Sequence, residues 1–340
     1  MKREFQFVPY GKQFCPPSAA EETDSEGSRQ RPTVSCDGRI PGGVTLELSH
    51  WTGNETPDDL YADTSTEMAL SFDRRCRQDP CAYQHLSDAY ILNNHYDTDG
   101  VLSVFACLNP EIALSYADLL VQGAEAGDFG EWSSDEGVKL DCTLEAICEQ
   151  LADEEQAYHV ALKDLPNILH DLNTNSGKSY QYLWKSKWDE VISGWSSLKT
   201  GQGAILCGPH YEMAIIMEPS IVLPLSPYAL DRGLKDFGLW SSKTLPTRIL
   251  RVSTKETKSS TLYRYQYEKI GHGWVQKLVK RAAVPSVGAE KLVEQLNTDG
   301  RQWSCGGSSG LVSICCTHDF IATTPEEVSQ RLLQHDAAFR

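Results

Sequence analysis

Alternating and helical hydrophobic patterns divide the chain into a β/α first part, a helical middle and a mixed last part. Residues 44–48 and 90–94 are short apolar runs of the kind that form strands. Each is followed by a polar loop and then by a helix-compatible stretch, at 64–72 and 101–108 respectively. Two such units in succession predict an α/β sheet with ligand groups at the carboxyl ends of its strands.

Helical periodicity continues from residue 111 to 197 and includes a stripe of Trp184, Trp188 and Trp195. This stripe favours core packing over stacking on a cofactor. Strand-like runs and two helices near 287–297 and 325–334 follow, which predicts an α+β remainder. The strand-like runs are 204–206, 213–217, 221–223, 247–252, 261–267 and 311–315.

The composition of residues 16–43 is rich in Pro, Ser, Gly and charged residues, which is typical of a flexible insertion. The sequence therefore predicts three parts. These are an N-terminal segment with this insertion (1–43), an α/β domain with a helical extension (44–200) and an α+β substrate domain (201–340).

The balance of charge is acidic, with a formal net charge of -16 over 340 residues. This disfavours an extended nucleic-acid surface and an anionic-membrane surface, and no apolar run reaches the roughly 18 residues of a membrane-spanning helix. The charge is also regional, because residues 118–171 hold fourteen Asp/Glu against two Lys, whereas 232–281 hold twelve basic residues against three acidic ones. These are either two solvated faces or a basic wall for a phosphate-bearing substrate beside a cation-holding region.

The cysteine pattern predicts a reducing compartment. There are 11 cysteines, an odd number, and none of them forms a C-x-x-C pair. The first residues carry no apolar signal region, so we expect a cytoplasmic protein. The sequence gives no prediction of oligomeric state.

The residues with the clearest chemistry follow the strand at 90–94. His95, Asp97 and Asp99 alternate, so an extended segment places all three on one side, and Gly100 permits a sharp entry into the next helix. Imidazole and carboxylate ligands of this kind suit Mn²⁺, Mg²⁺ or Zn²⁺. The alternative is a polar turn in which Asp99 caps the helix beside an incidental histidine.

This strand, H-x-D-x-D-G and helix arrangement, with Ser103 three residues after the glycine, resembles the first motif of the DHH phosphoesterase superfamily. Residues 48–54 (LSHWTGN) and 61–67 (YADTSTE) are similar to its D-H-H-x-x-N motif and to the S-S-T-x-E helix start after it. Residues 123–129 are weakly similar to a later Asp-bearing motif. The triplet here is Ser-His-Trp, and the motif order is rearranged as in a circular permutation. The whole chain also resembles an uncharacterised, mainly bacterial family with HYDTDG and HW-x-GN-x-TP signatures.

The resemblance implies a DHH-like, parallel-rich sheet flanked by helices and a metal-dependent phosphoesterase that acts on a small phosphate-containing molecule. It implies a divalent ion, with Mn²⁺ expected and Mg²⁺ or Zn²⁺ as alternatives. The implied metal ligands are His50, His95, Asp97, Asp99 and Asp128, with Asp63 as a weaker candidate. The candidate catalytic residues are His50, Asp97 and His210.

Candidate substrate contacts are Asn54 and the helix start formed by Thr64, Ser65 and Thr66, where N–H groups and hydroxyls favour a phosphate. For the last three, plain helix capping is an equal alternative. Residues 208–212, which contain His210, either line the site or form a structured turn. The glycine-serine run at 305–310 either wraps an anion or is an ordinary turn.

A second hypothesis belongs to another class of protein. The altered Ser49-His50-Trp51 triplet and the net charge of -16 are also compatible with a non-catalytic binding or scaffold protein on a degenerate DHH-like fold.

Overall fold

The computed structural model describes residues 3–16, 31–51, 53–151, 153–201, 204–207, 213–218, 225–236, 248–269, 289–297, 302–305 and 313–338. The chain forms two compact units. The first comprises Met1–Asp128 and Trp132–Trp188, and the second comprises Phe129–Glu131 and Asp189–Arg340. The division after Trp188 precedes the predicted boundary after residue 200.

The first unit is built on a four-stranded parallel sheet with the order β1-β4-β2-β3. Its strands are β1 (Glu4–Phe7), β2 (Thr33–Cys36), β3 (Leu46–Leu48) and β4 (Tyr90–Asn93). Parallel strands are usually covered on both faces and therefore read as short apolar runs. The predicted α/β class with a parallel sheet is confirmed.

Two of these strands lie in the part of the chain that we expected to precede the fold. β2 is buried between β4 and β3, and β1 forms the far edge beside β4. The prediction of a flexible insertion is therefore wrong for residues 33–37, which form β2 and the buried position after it. A four-residue strand contributes too little to the composition of a 28-residue window to be visible there. Residues 17–30 lie outside the described part of the chain.

Seven helices follow in the described part of the chain up to residue 199. They are α1 (Ser65–Gln78), α2 (Thr98–Leu108), α3 (Pro110–Ser115), α4 (Ala117–Phe129), α5 (Asp135–Gln150), α6 (Glu154–Asn175) and α7 (Gln181–Lys199). α1 begins with a capping box in which the Thr64 hydroxyl and the Glu67 carboxylate each accept from the other residue's backbone N–H. Ile91 of β4 packs with Phe72 of α1 and Phe105 of α2 in one buried core.

The opposite face of the sheet carries a smaller apolar cluster. Leu92, the residue after Ile91, points to this face and packs with Val8 and Ile40. Successive side chains of β4 thus alternate between the large core on one face of the sheet and the smaller cluster on the other.

The second unit contains a six-stranded mixed sheet with the order β5-β6-β7-β8-β10-β9. Its strands are β5 (Ala204–Cys207), β6 (Met213–Glu218), β7 (Arg248–Glu256), β8 (Thr261–Lys269), β9 (Trp303–Cys305) and β10 (Ser313–Thr317). Its helices are α8 (Pro227–Asp236), α9 (Ala289–Leu296) and α10 (Pro325–Ala338). Only β6 and β7 pair in parallel among these described strands, which agrees with the predicted α+β remainder.

Part of the basic segment at 232–281 is neutralised within the second unit. Arg251 is buried, with Nη2 at 2.6 Å from Glu218 Oε1 and Nη1 at 3.6 Å from Glu268 Oε1. The predicted strand at 221–223 lies outside the described residues. No described helix is both long enough and apolar enough to cross a membrane.

Arg3 attaches the N-terminal strand to the core of the first unit. Its Nη1 donates to Asp73 Oδ1 at 3.0 Å and to the Cys107 carbonyl at 2.8 Å. Its guanidinium lies 4.6 Å from the centre of the Phe72 ring. Burial raises the pKa of Asp73 to about 6, and the Arg3 charge opposes this rise.

We predict that Arg3→Gln lowers the free energy of unfolding by about 3 kcal/mol at pH 8, because it leaves the buried Asp73 carboxylate without its cation. The loss should be smaller at pH 5, where the folded protein can hold Asp73 in its neutral form. Urea unfolding at both pH values measures this. The exposed Lys12→Gln is the control, expected to change stability by less than about 0.5 kcal/mol. An equal loss at the two pH values would contradict the interpretation.

Candidate metal centre

The carboxyl ends of three neighbouring strands form the floor of the candidate site. β2 is followed by Asp37, β3 by Ser49 and His50, and β4 by the loop that contains His95 and Asp97. Because the strands are parallel, these residues emerge at one edge of the sheet, where open α/β sheets bind their ligands.

Asp37 turns inward from the end of β2 through an unusual backbone conformation. Its φ is 43° and that of Gly38 is 140°, so both lie in the left-handed region. Asp adopts this region more readily than most residues. Glycine suits position 38 because any side chain is strained at this φ, and its Cβ would also lie 2.8 Å from Asn94 Oδ1. The turn buries the Asp37 side chain to 1 % exposure.

The first group of candidate ligands, the buried triad, consists of Asp37, His50 and Asp99. His50 Nε2 lies 3.3 Å from Asp37 Oδ1 and 3.9 Å from Asp99 Oδ2. Asp128, at the end of α4, adds Oδ2 at 3.2 Å from the same nitrogen. All four side chains are buried.

The second group, the outer triad, consists of Asp37, His95 and Asp97. His95 Nε2 lies 3.3 Å from Asp37 Oδ2 and 3.0 Å from Asp97 Oδ2. His95 and Asp97 are 21 % and 41 % exposed, so this triad faces solvent. Within each triad the candidate ligand atoms lie within 4.8 Å of one another. Asp37 belongs to both triads and offers a different oxygen to each histidine.

Both histidines are held in the orientation of metal ligands. His50 Nδ1 lies 2.6 Å from the Asp63 carbonyl oxygen, which only accepts, so Nδ1 donates and Nε2 faces the carboxylates. His95 Nδ1 likewise donates to Asn94 Oδ1 at 2.9 Å, since the Asn94 amide nitrogen donates to the Arg39 carbonyl. A hydrogen bond from the second ring nitrogen to an oxygen accompanies most histidine–metal bonds.

The start of α1 supports Asp99. Ser65 N and Thr66 N donate to the two Asp99 carboxylate oxygens at 2.7 and 2.8 Å, and Ser65 Oγ donates to Asp37 Oδ1 at 3.0 Å. Thr64 caps the helix. The helix N-terminus thus stabilises a carboxylate of the chain itself, and the expected phosphate contacts of these three residues stay a prediction.

The loop after β3 has a structural role in positioning Trp51. Asn54 donates to the Trp51 carbonyl at 2.8 Å and accepts from Thr56 N at 3.1 Å. Its expected contact with a substrate stays a prediction. Trp51 Nε1 donates to Asp37 Oδ1 at 3.1 Å, and its ring centre lies 5.2 Å from that of His95.

The electrostatics of the site centre on Asp37. Burial alone would raise the pKa of Asp37, but the neighbouring His50 and His95 outweigh burial and hold that pKa well below its usual range. Burial would lower the histidine pKa values, yet the carboxylates raise the pKa of His50 to about 10 and that of His95 to about 11.

The pKa values of Asp99 and Asp128 are raised by burial and by the neighbouring carboxylates. Burial, followed by the charge of Asp37, raises the pKa of Asp99 to about 7, and burial and the charge of Asp99 raise the pKa of Asp128 well above its usual range. Asp37 Oδ2 is buried and accepts no well-aligned hydrogen bond among the described residues. Four carboxylates, one of which contains this oxygen, and two imidazoles fit divalent cations, since oxygen and nitrogen donors suit Mn²⁺, Mg²⁺ and Zn²⁺.

Sequence comparison adds a family to this geometry. Residues 22–331 match a family described as a family of unknown function (DUF6687). The chain belongs to this family. No curated protein matches the chain in sequence. The matched span includes every residue of both triads.

The structure brings together all five of the expected ligands, and their role as ligands stays a prediction. These are His50, His95, Asp97, Asp99 and Asp128. Asp63 meets His50 through its carbonyl oxygen. His210 and residues 306–310 lie outside the described residues. Asp37 was not predicted as a ligand. The pair Asp37-Gly38, which repeats the Asp-Gly pair at Asp99-Gly100, was a signal that could have identified it.

We predict that the metal-free protein loses stability as pH rises from about 4 to about 10. The pKa values of Asp99, His50 and His95 are higher in the folded protein than in the unfolded chain. Between the two values the folded state therefore holds protons that the unfolded state has lost, and this stabilises it. The stabilisation is lost as the pH rises through the folded pKa values. Mn²⁺ should reverse the trend, because it competes with these protons and binds more tightly as they leave. Thermal unfolding across this pH range, with and without Mn²⁺, measures both slopes. A metal-free protein whose stability rises with pH would refute the account of the site.

Proposed function

We propose that this protein is a metal-dependent phosphoesterase-like hydrolase that acts on a small phosphate-containing substrate. The observation that carries the proposal is the position of Asp37, whose two oxygens face the histidines of two separate ligand triads. One carboxylate between two sets of ligands is the arrangement of a two-metal centre. The motif resemblance to DHH phosphoesterases supports the same conclusion.

Two-metal centres with ions about 3.5–4 Å apart are typical of enzymes that cleave phosphate esters. Divalent ions held there would lower the pKa of a bound water and neutralise charge on the phosphoryl oxygens. Neutralisation matters particularly here, because the excess of carboxylates over imidazoles would otherwise repel an anionic substrate.

The residues of the chain have distinct tasks in this proposal. His50, Asp99 and Asp128 hold the buried ion in a site that water reaches poorly. His95 and Asp97 hold the outer ion at the solvent side, where a substrate phosphate can approach. Trp51 orients the shared carboxylate through its indole N–H and covers one side of His95.

The mixed set of carboxylates and imidazoles supports Mn²⁺ as the expected ion. Mg²⁺ prefers oxygen ligands and retains several waters, whereas Mn²⁺ accepts both donor types, as does Zn²⁺. Affinity for sites of this kind rises from Mn²⁺ to Zn²⁺ whatever the function, so activity with each ion in turn, and not the gain in stability, will identify the physiological candidate.

We predict that Mn²⁺ raises the melting temperature of the metal-free chain, because an ion that binds only the folded state stabilises it by mass action. Asp37→Asn should remove most of this gain, since it weakens the ligand shared by both triads. Asp128→Asn should reduce it. The matched control is Asp118→Asn, an exposed position in the first turn of the same helix, α4, which should keep the full gain. An equal rise in melting temperature in all four proteins would contradict the proposed metal centre.

We further predict Mn²⁺-dependent hydrolysis of at least one member of a panel of small phosphomonoesters and phosphodiesters. Asp37→Asn and Asp99→Asn should each lower the rate by more than about 100-fold, because loss of a direct ligand exceeds the 10–100-fold cost typical of an outer-shell partner. Asp118→Asn should retain the rate.

The second candidate function, a non-catalytic binding or scaffold protein, is favoured by the local role of Ser49. Its hydroxyl accepts from Gly38 N and Trp51 N at 3.2 Å each and so organises the turn, in the place where the superfamily has an acid. Mn²⁺ binding that depends on Asp37, without hydrolysis of any substrate in the panel, would favour this function over the enzyme.

A further inference from the structure

A fully buried phenol lies behind the outer triad. The ring of Tyr158, in α6, packs on Phe5 at 4.7 Å and on Tyr96 at 5.2 Å between ring centres. Its hydroxyl is buried and has no hydrogen-bond partner among the described residues. An unpartnered buried hydroxyl costs about 1–3 kcal/mol. Phenylalanine would pack equally well without that cost, so packing explains the ring and not the hydroxyl.

The hydroxyl lies near Asp97 of the outer triad. A Cβ placed on Gly100 would lie 2.8 Å from the Tyr158 hydroxyl and 2.9 Å from Asp97 Oδ1. The two oxygens therefore approach the same point in front of Gly100, together with Asn93 Nδ2 at 2.7 Å from it, and only a glycine leaves them this room. Burial and then the charges of Asp97 and Asp37 raise the pKa of Tyr158 well above its usual range, so the hydroxyl keeps its proton as a donor.

The two oxygens of Asp97 face different partners. Oδ1 accepts from Gly100 N at 2.8 Å, on the side of Tyr158, whereas Oδ2 lies 3.0 Å from His95 Nε2. Rotation of the carboxylate would exchange them. Asp97 is the most exposed member of the two triads, so its surroundings restrain it least.

We propose that Tyr158 is a positioning residue for the outer cation. Its hydroxyl directs its proton towards Asp97 Oδ1 and so keeps Oδ2 directed at the ion shared with Asp37 and His95. This inference rests on the metal centre of the proposed function and is independent of the reaction that the centre performs. Outer-shell partners of this kind typically contribute 10–100-fold to metal affinity.

The test is a calorimetric titration of the metal-free full chain with Mn²⁺, with free Mn²⁺ followed by electron paramagnetic resonance. The wild-type chain should bind a tighter ion at the buried triad and a weaker ion at the outer triad. Tyr158→Phe should weaken the outer ion about 10-fold or more and change the affinity of the buried ion less than about twofold. The reason is that Asp97, whose charge acts on Tyr158 more strongly than that of Asp37, belongs to the outer triad alone.

Tyr96→Phe is the matched control. Its ring packs against Tyr158, but its hydroxyl donates to the Leu144 carbonyl at 3.0 Å, away from the triads. Losing this hydrogen bond should lower the melting temperature of the metal-free protein and leave both Mn²⁺ affinities unchanged. A purely structural role of Tyr158 would give the same pattern in both variants.

The outcomes separate the two proposals. If Tyr158→Phe binds both ions as the wild type does while Asp37→Asn abolishes binding, the role of Tyr158 is wrong and the metal centre stands. If both tyrosine variants weaken both ions equally, the effect is one of packing and the role of Tyr158 is again wrong. If the wild-type chain binds no Mn²⁺, the metal centre and the role of Tyr158 fail together.

Discussion

The burial of the Asp37 carboxylate beside other carboxylates is the constraint on which the site depends. Asp97, Asp99 and Asp128 lie around the same pair of imidazoles, and unpaired charges of one sign are expensive where water is scarce. The chain reduces this cost with two helix N-termini, one at Asp99 and one at Asp97, and with the protons of the two histidines. A divalent cation between the same oxygens and nitrogens would replace those protons with a stronger partner, which is why the arrangement supports a metal centre.

The parallel sheet makes this crowding possible. Its carboxyl edge brings residues from three short strands together, and a left-handed turn at Asp37 directs the shared carboxylate inward. Backbone strain of this kind costs energy and tends to occur at functional sites. The surrounding hydrogen bonds from Trp51 and Ser65 to Asp37 hold the turn in one conformation. The fold thus brings the ligands together, and Trp51 and Ser65 orient the Asp37 carboxylate.

Much of this could be predicted from the sequence, because the signals were local. The alternation of His95, Asp97 and Asp99 after an apolar strand is visible within ten residues, as is the capping box of α1. What could not be predicted depends on distant pairings. The N–H groups of Ser65 and Thr66 face Asp99, more than thirty residues away, so the sequence of the helix start could not reveal that a carboxylate of the chain itself lies there. Asp37 could not be recognised as a ligand because the Pro, Ser and Gly residues around it made the whole segment resemble a flexible insertion. Tyr158 could not be recognised because it has the helical spacing of an ordinary core residue.

The central claim, that Asp37 bridges two cations, is tested most directly by anomalous diffraction from crystals of the chain grown with Mn²⁺. The account predicts two peaks about 3.5–4 Å apart, one among Asp37, His50, Asp99 and Asp128 and one among Asp37, His95 and Asp97. Clear density for all six side chains without any anomalous peak between them, at Mn²⁺ concentrations in the millimolar range, would contradict it.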